Sequence, residues 1–416
     1  MQIIADFHIH SKYSRATSKD MGIETLGEWA DIKGINLLGT GDFTHPTHFY
    51  NLKNKLEPEG NGFFRLKGKG IKARFILTAE LSNIYSQGKK VRKIHNLVFA
   101  PTFDVAERIN SKLEKLGKLS SDGRPIFGFS ARELLKIIMD ISEECAVIPA
   151  HAWTPWFSIF GANSGFDSIE ECFGEESKYI FSIETGLSSD PPMNWRVSKL
   201  DKITLISNSD AHSPQKLGRE ANVFECELSY KEIIRILREK DMKKFLYTIE
   251  FFPEEGKYHY DGHRNCKVLF TPGETKKHGF ICPKCNGKIT VGVMHRVEVL
   301  ADRKTGFVPE KTIPFKNIIP LQEIISDSLG IGVASAAVVN EYKRTVVQGG
   351  SEFNVLLYLE EEELKKITSP KIVEGIMKVR TGKVNIIPGY DGEFGKIKIF
   401  ESEQENEPGE NQMSLF

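Results

Sequence analysis

Ile3-Ile4-Ala5-Asp6-Phe7-His8-Ile9-His10 is a short apolar run that ends in an acid and two histidines. It reads as a buried strand whose C-terminal end carries chemistry. Residues i and i+2 of a strand point to the same side, so His8 and His10 can face one ion together. The pattern recurs down the chain. Ile35 to Thr40 is followed by Gly41-Asp42-Phe43-Thr44-His45, and Arg74 to Thr78 leads to Glu80. His95 precedes Asn96-Leu97-Val98-Phe99, and Ala146 to Pro149 leads to His151. Tyr179 to Ile183 leads to Glu184, and Ile203 to Ser207 leads to Asp210-Ala211-His212. Amphipathic stretches between them predict helices over 23–33, stopped by Gly34, and over 131–141. This strand–helix alternation predicts a parallel sheet, closed or nearly closed into a barrel. Strand C-termini of such a barrel share one face, and that face carries the chemistry.

A single histidine at a strand end is an ordinary polar residue. Repeated arrivals of His, Asp and Glu at strand ends have no burial rationale, and they predict a metal cluster. Carboxylates can bridge neighbouring ions, which is how two-metal sites hold an attacking and a leaving oxygen in line. Asp6 reads either as a ligand or as a partner that orients a histidine. His48 competes with His45 for one position.

Composition narrows the class. Of 416 residues, 40% are hydrophobic and 27% charged, which suits a chain of two or three folded domains. Net charge is zero, but Glu401, Glu403, Glu405, Glu407 and Glu410 account for part of that. Without this tail, 56 basic side chains face 51 acidic ones, and the resulting +5 permits a nucleic-acid substrate. The start Met1-Gln2-Ile3-Ile4 has no signal-peptide pattern, and no apolar run is long enough for a membrane span. A cytoplasmic, nucleoid-associated protein with no membrane partner is expected.

Taken in order, His8-Ile9-His10, Asp42 with His45, Glu80, His95, His151, Glu184 and Asp210-Ala211-His212 resemble the motifs of the PHP (polymerase and histidinol phosphatase) superfamily. The resemblance covers about residues 1–225. It implies an α/β fold with a distorted seven-stranded β/α barrel around a trinuclear metal site. It assigns His8, His10, Glu80 and Asp210 to one ion, and Glu80, His95 and His151 to a second. Asp42, His45 and His212 would serve a third. His8, His10, Asp42, Glu80, His95, His151, Asp210 and His212 form the implied catalytic set. One departure stands out: the family commonly has Asp followed directly by His, whereas His45 comes three residues after Asp42. Glu184 has no fixed place in this scheme and reads as orienting or as substrate-facing.

His263 and Cys266, then Cys282 and Cys285, form two pairs of two-residue spacing with fifteen residues between them. This is the spacing of two zinc knuckles, and Gly279 and Gly287 supply their turns. The four predict a closed structural zinc site, with His259 as an alternative fourth ligand. The domain order therefore reads as a metallophosphoesterase barrel over 1–249, a zinc module over 250–311, a mainly helical domain over 312–400 and a flexible acidic tail over 401–416. Zinc is the expected metal in both sites, with Mg2+ or Mn2+ as the other candidates for the barrel cluster.

Three features favour DNA as substrate. The zinc module and helical domain exceed what a small-molecule phosphatase needs. Trp153 and Trp156 lie in an aromatic run just after His151, read either as a stacking platform for a base or as a loop packed on the barrel. Basic runs over 65–74 and 89–93 read either as solvated faces or as phosphate contacts. Arg196 or Arg219 would stabilise charge on the phosphate. The tail ends in Gln412-Met413-Ser414-Leu415-Phe416, and Gln412, Leu415 and Phe416 resemble a sliding-clamp peptide. With these parts in this order, about residues 1–400 resemble the endonuclease Q family. That resemblance implies a DNA repair enzyme nicking 5′ of deaminated bases (uracil, hypoxanthine, xanthine) and of abasic sites. The alternative is a small-molecule phosphoesterase of the PHP class.

Overall fold

The computed structural model describes residues 1–68 and 70–400. Strand Gln2–Asp6, buried from Ile3 onward, pairs parallel with Leu37–Gly39, which pairs parallel with Arg74–Gln87. There the parallel order stops. The chain turns through Gly88 and Lys89, at φ 62° and 61°, into the antiparallel strand Lys90–Ala100. A two-residue turn of this hand matches strand twist and needs no crossover helix. Lys90–Ala100 then pairs antiparallel with Ala146–Pro149, and Gln2–Asp6 is flanked by antiparallel Ala221–Glu225.

These strands belong to a mixed sheet of 11 strands. Ser182–Glu184 and Thr204–Ile206 form a separate parallel pair. Backbone bonds tie the flanks of that pair to the main sheet, from Ala152 N–H to Glu184 O (2.9 Å) and from His10 N–H to Ala211 O (3.0 Å). The fold is therefore mixed α/β, and the expected seven-stranded barrel is not present as one closed ladder among the described residues. Strands of three residues ending in tight turns are too short to carry the pairing onward.

Local signals act where they were read. Helix Ile23–Lys33 ends at Gly34, which sits at φ 86° in the left-handed region that favours glycine. Helix Ala131–Ile141 starts at Ser130, whose hydroxyl accepts the Glu133 N–H. Helices Leu321–Leu329, Ala336–Gly349, Glu361–Ile367 and Pro370–Arg380 pack together in the C-terminal part. Short strands accompany these helices. Phe315–Asn317 extends the main sheet beside Phe245–Glu250, and Asn385–Ile387 pairs with Lys396–Lys398 as a hairpin. The hairpin leans on the cysteine module through Tyr260 N–H to Gly389 O (3.0 Å). Among the described residues, no helix is long and apolar enough to cross a membrane.

Candidate metal centre

His8 and His10 follow the first strand and are fully buried. Each has a carboxylate behind it. His8 Nδ1 donates to both Glu184 oxygens (3.1 and 3.0 Å), and His10 Nδ1 donates to Asp42 Oδ1 (3.1 Å). A carboxylate on Nδ1 keeps the proton there and leaves the Nε2 lone pair facing inward. His8 Nε2, His10 Nε2 and Asp210 Oδ1 are buried without a hydrogen-bond partner. Buried polar atoms are rarely orphaned, and three that converge fit a cation.

The distances agree. His10 Nε2 lies 3.1 Å from Asp210 Oδ1 and 3.3 Å from Glu80 Oε2, and His8 Nε2 lies 3.7 and 3.6 Å from the same two atoms. Ligands on arms of roughly 2.1 Å around a tetrahedral ion sit about 3.4 Å apart. The other oxygen of Glu80 faces a second group. Oε1 is 2.7 Å from His95 Nδ1 and 2.9 Å from His151 Nε2, and the two histidine nitrogens are 3.2 Å apart. One carboxylate thus offers an oxygen to each group. His8, His10 and Asp210 form one candidate donor set, and Glu80, His95 and His151 form another.

The electrostatics record the same crowding. Burial opposes charge on His8 and His10, yet the surrounding carboxylates raise both well above the ordinary histidine value. Burial pushes Glu80 up, but His95, Arg124 and His8 hold it well below its usual range. His95 goes the other way, lowered by burial to about 4. Asp42, His151 and Asp210 sit at φ 46°, 30° and 47°. Left-handed backbone at non-glycine residues costs energy and collects at functional sites.

Several expected residues sit elsewhere. Asp42, His45 and His212 do not come together as a third donor set. Asp42 spends its second oxygen on Ser11 N–H (2.6 Å) and on the Ser11 and Ser14 hydroxyls (2.6 and 2.9 Å). His45 caps helix Pro46–Lys55 by accepting His48 N–H (3.4 Å), and its ring stacks 4.5 Å from Tyr13. His48 bonds Thr40 O. His212 bonds Asp210 O (2.8 Å) and lays its ring 4.6 Å from that of His10. Asp6 holds Ser209 N–H and Gly218 N–H, so it shapes the approach to Asp210 and orients no histidine; burial lifts it to about 6.

The substrate-facing set also changes. Glu184 is fully buried and also accepts Asn208 Nδ2 (2.9 Å) and His151 N–H (3.0 Å), so it orients and does not face substrate. Trp153 is 1% exposed and donates to Asn194, which leaves no face for a base. Trp156, in contrast, is 44% exposed. Arg196 is buried against Glu298 and Arg303 O, and Arg219 donates to the Ser209 and Asp210 carbonyls. Of the basic runs, Arg65, Arg74 and Arg92 pair with Glu57, Glu59 and Glu171. Arg124 was missed by the strand-end reading because it lies on a loop. It lines a cavity of about 490 Å³ together with Arg15, His95, His151, Trp156 and Asp210.

In the cysteine module, donor atoms of His263, Cys266, Cys282 and Cys285 all lie within 4.8 Å of one another. Lys267, Phe280 and Asn286 take positive φ to turn the chain around them. His259 is not in this group; it is buried with its ring 4.9 Å from that of Tyr260. Gln412, Leu415 and Phe416 lie outside the described residues.

Comparison with known proteins places the whole arrangement. Residues 320–383 match the family described as the MJ0043 C-terminal domain. An uncharacterized protein, MJ0043 of Methanocaldococcus jannaschii, is 35% identical over 257 residues; the match takes in 60% of this chain and 31% of that protein's length. The crystal structure of the lesion-specific endonuclease PfuEndoQ from Pyrococcus furiosus superposes with a TM-score of 0.85 at 32% identity, covering 96% of this chain and 95% of that one. A structure of endonuclease Q with a 27-mer duplex, an abasic lesion at its active site, gives 0.83 at 32% identity over 96% of this chain and 97% of that one. On fold, identity and near-complete mutual coverage, the chain belongs to the endonuclease Q family.

Proposed function

We propose that this chain is a metal-dependent DNA repair endonuclease that hydrolyses the phosphodiester 5′ of deaminated bases (uracil, hypoxanthine, xanthine) and of abasic sites. The observation that carries the reading is Glu80, one carboxylate shared by two donor groups whose His95, His151 and Asp210 line a cavity together with two arginines and an exposed tryptophan. The duplex-bound relative supports DNA as the substrate.

Hydrolysis bonds a water oxygen to phosphorus, breaks one P–O ester bond and returns a proton to the leaving oxygen. Divalent ions, when bound, acidify water and polarise the phosphate. His8, His10, Glu80 and Asp210 would hold one, and Glu80, His95 and His151 the other. Zinc suits these histidines, with Mg2+ or Mn2+ as alternatives that suit the carboxylates. Glu184 and Asp42 fix the tautomers of His8 and His10, so that the inward nitrogens remain lone-pair donors. His263, Cys266, Cys282 and Cys285 would hold a structural zinc, because a Cys3His set is saturated by its own four ligands. The terminal peptide with Gln412, Leu415 and Phe416 would tether the enzyme to a sliding clamp, raising its local concentration on DNA.

Duplexes carrying one abasic site, uracil or hypoxanthine test this reading beside an undamaged duplex and nitrophenyl phosphate. One chelator-sensitive nick on the 5′ side of each lesion is expected. Hydrolysis of nitrophenyl phosphate with every duplex left intact would replace it with the small-molecule phosphoesterase reading.

A further inference from the structure

Arg196 is paired with Glu298 and Arg219 is held by the Ser209 and Asp210 carbonyls, and neither lines the cavity beside His95, His151 and Asp210, as Arg124 does. We propose that Arg124 grips a non-bridging oxygen of the scissile phosphate and counters the charge that builds there in the transition state. The proposal rests on the phosphodiesterase reading of the cluster.

Arg124 sits on a loop keyed into the site. Asp122 Oδ1 accepts both Arg15 N–H (3.2 Å) and Arg124 N–H (3.0 Å). Gly123 N–H bonds Tyr13 O (3.0 Å), and Ser82 N–H bonds Pro125 O (3.0 Å). A Cβ on Gly123 would come within 2.3 Å of Ser14 Oγ and 2.4 Å of Asp42 Oδ2. Only glycine lets the loop close onto the pair that holds His10. The loop is thus fastened to two ligand-bearing segments, after His10 and after Glu80.

That placement sets Arg124 Nη1 3.0 Å from Glu80 Oε2, while a quarter of the side chain stays exposed to the cavity. Among the described residues, it is the one Lys or Arg side chain ion-paired with a carboxylate of the cluster. Glu80 takes one N–H, and the side chain lines the cavity beside His95, His151 and Asp210. Charge supports the same role. Glu80, Asp210, Asp42 and Glu184 bring four carboxylates, which two divalent ions would balance. The incoming phosphodiester adds one negative charge, and Arg124 supplies the matching positive one. A guanidinium fits phosphate oxygens in a fixed fork, and a fixed donor aimed at developing charge is worth about 100- to 1,000-fold in rate.

A structural role would have Arg124 act only by steering Glu80. Arg124→Ala and Arg124→Lys, compared as metal-loaded proteins, separate the two. We expect kcat on an abasic-site duplex to fall about 100-fold or more in Arg124→Ala, with metal content and Tm unchanged. Arg124→Lys should keep part of the rate, since it keeps the charge and loses the fork. Added guanidinium at low concentration should restore part of the Arg124→Ala rate and leave wild type unaffected. Binding of inorganic phosphate, read by calorimetry, should weaken about tenfold or more. Near-wild-type kcat in Arg124→Ala, loss of metal with the rate, or unchanged phosphate binding would each overturn the proposal. If wild type cleaves only nitrophenyl phosphate, the same variants are assayed on that ester. A rate loss there upholds Arg124 while the DNA reading fails.

Discussion

The cysteine module and the cluster joined through Glu80 are built on opposite plans. The cysteine module draws four donors from residues 263–285, so its ligands are neighbours before the chain folds. The cluster joined through Glu80 gathers donors from residues 8 to 210, and they meet only once the sheet has formed. The module's apolar cluster is only Val268, Cys282 and Ile289, so a bound metal is expected to supply its folding energy, whereas the other cluster rests on a sheet with an extensive apolar core. The module offers a single group of four candidate donors; the cluster has candidate donors, carboxylates that orient His8 and His10, and one carboxylate shared between two groups.

The largest effect that would break this contrast is loss of the module alone. Cys282→Ala should release one metal ion per chain and unfold the segment around 263–290, since structural zinc supplies about 10–16 kcal/mol of apparent binding energy to such small modules. Hydrogen exchange should accelerate there and stay slow in Arg74–Gln87. Equal loss of protection in both would mean that the two regions fold as one.

Next comes the shared ligand. Glu80→Gln should lower cleavage of an abasic-site duplex about a thousandfold or more, because both groups it joins lose the carboxylate charge. A tenfold loss would contradict the shared role. Smaller still is the effect of the orienting carboxylates. Asp42→Asn and Glu184→Gln keep every candidate donor of the two groups and should weaken metal affinity at this cluster about 10- to 100-fold, measured by competition with a chelator. The module's affinity serves as the internal reference and should not move.

The smallest effect concerns an acid behind the cluster. Burial, with Asp190 nearby, pushes Glu250 up to about 8, and its carboxyl accepts the Thr185 and Ser207 hydroxyls. The unfolded chain ionises near the ordinary 4.5. A folded value above the unfolded one favours the protonated form, so this stabilisation is complete below about 4.5 and is lost as pH rises towards 8. Glu250→Gln should flatten that fall in Tm. Parallel Tm curves for variant and wild type between pH 5 and 9 would remove Glu250 as its source.

What the sequence made legible follows the same divide. Paired spacing announced His263, Cys266, Cys282 and Cys285, and Gly34 announced the end of helix Ile23–Lys33, because both are local features. Strand-end chemistry announced His8, His10, Glu80, His95, His151 and Asp210. It could not separate a ligand from an orienting residue, since Asp42 and Glu184 have the same chemistry and sequence position as ligands. Only the side to which each carboxylate turns decides that. Trp153 and Trp156 differ by three residues and by 1% against 44% exposure, a difference set by how the loop packs. The antiparallel return at Gly88 and Lys89 left a turn signal that the strand–helix alternation overrode. Arg124 left little signal at all, because its place comes from a loop fitted around Gly123.

Two metal groups joined by Glu80 are expected at the sheet's cluster, apart from one metal in the module. Metal content per chain, measured by mass spectrometry on wild type and Glu80→Gln after removal of loosely held ions, tests this most directly. Three ions are expected in wild type, two at the cluster joined through Glu80 and one in the module, falling to one in the variant. Four ions in wild type would mean that Asp42, His45 and His212 assemble a further site after all, and an unchanged count in Glu80→Gln would contradict the shared carboxylate.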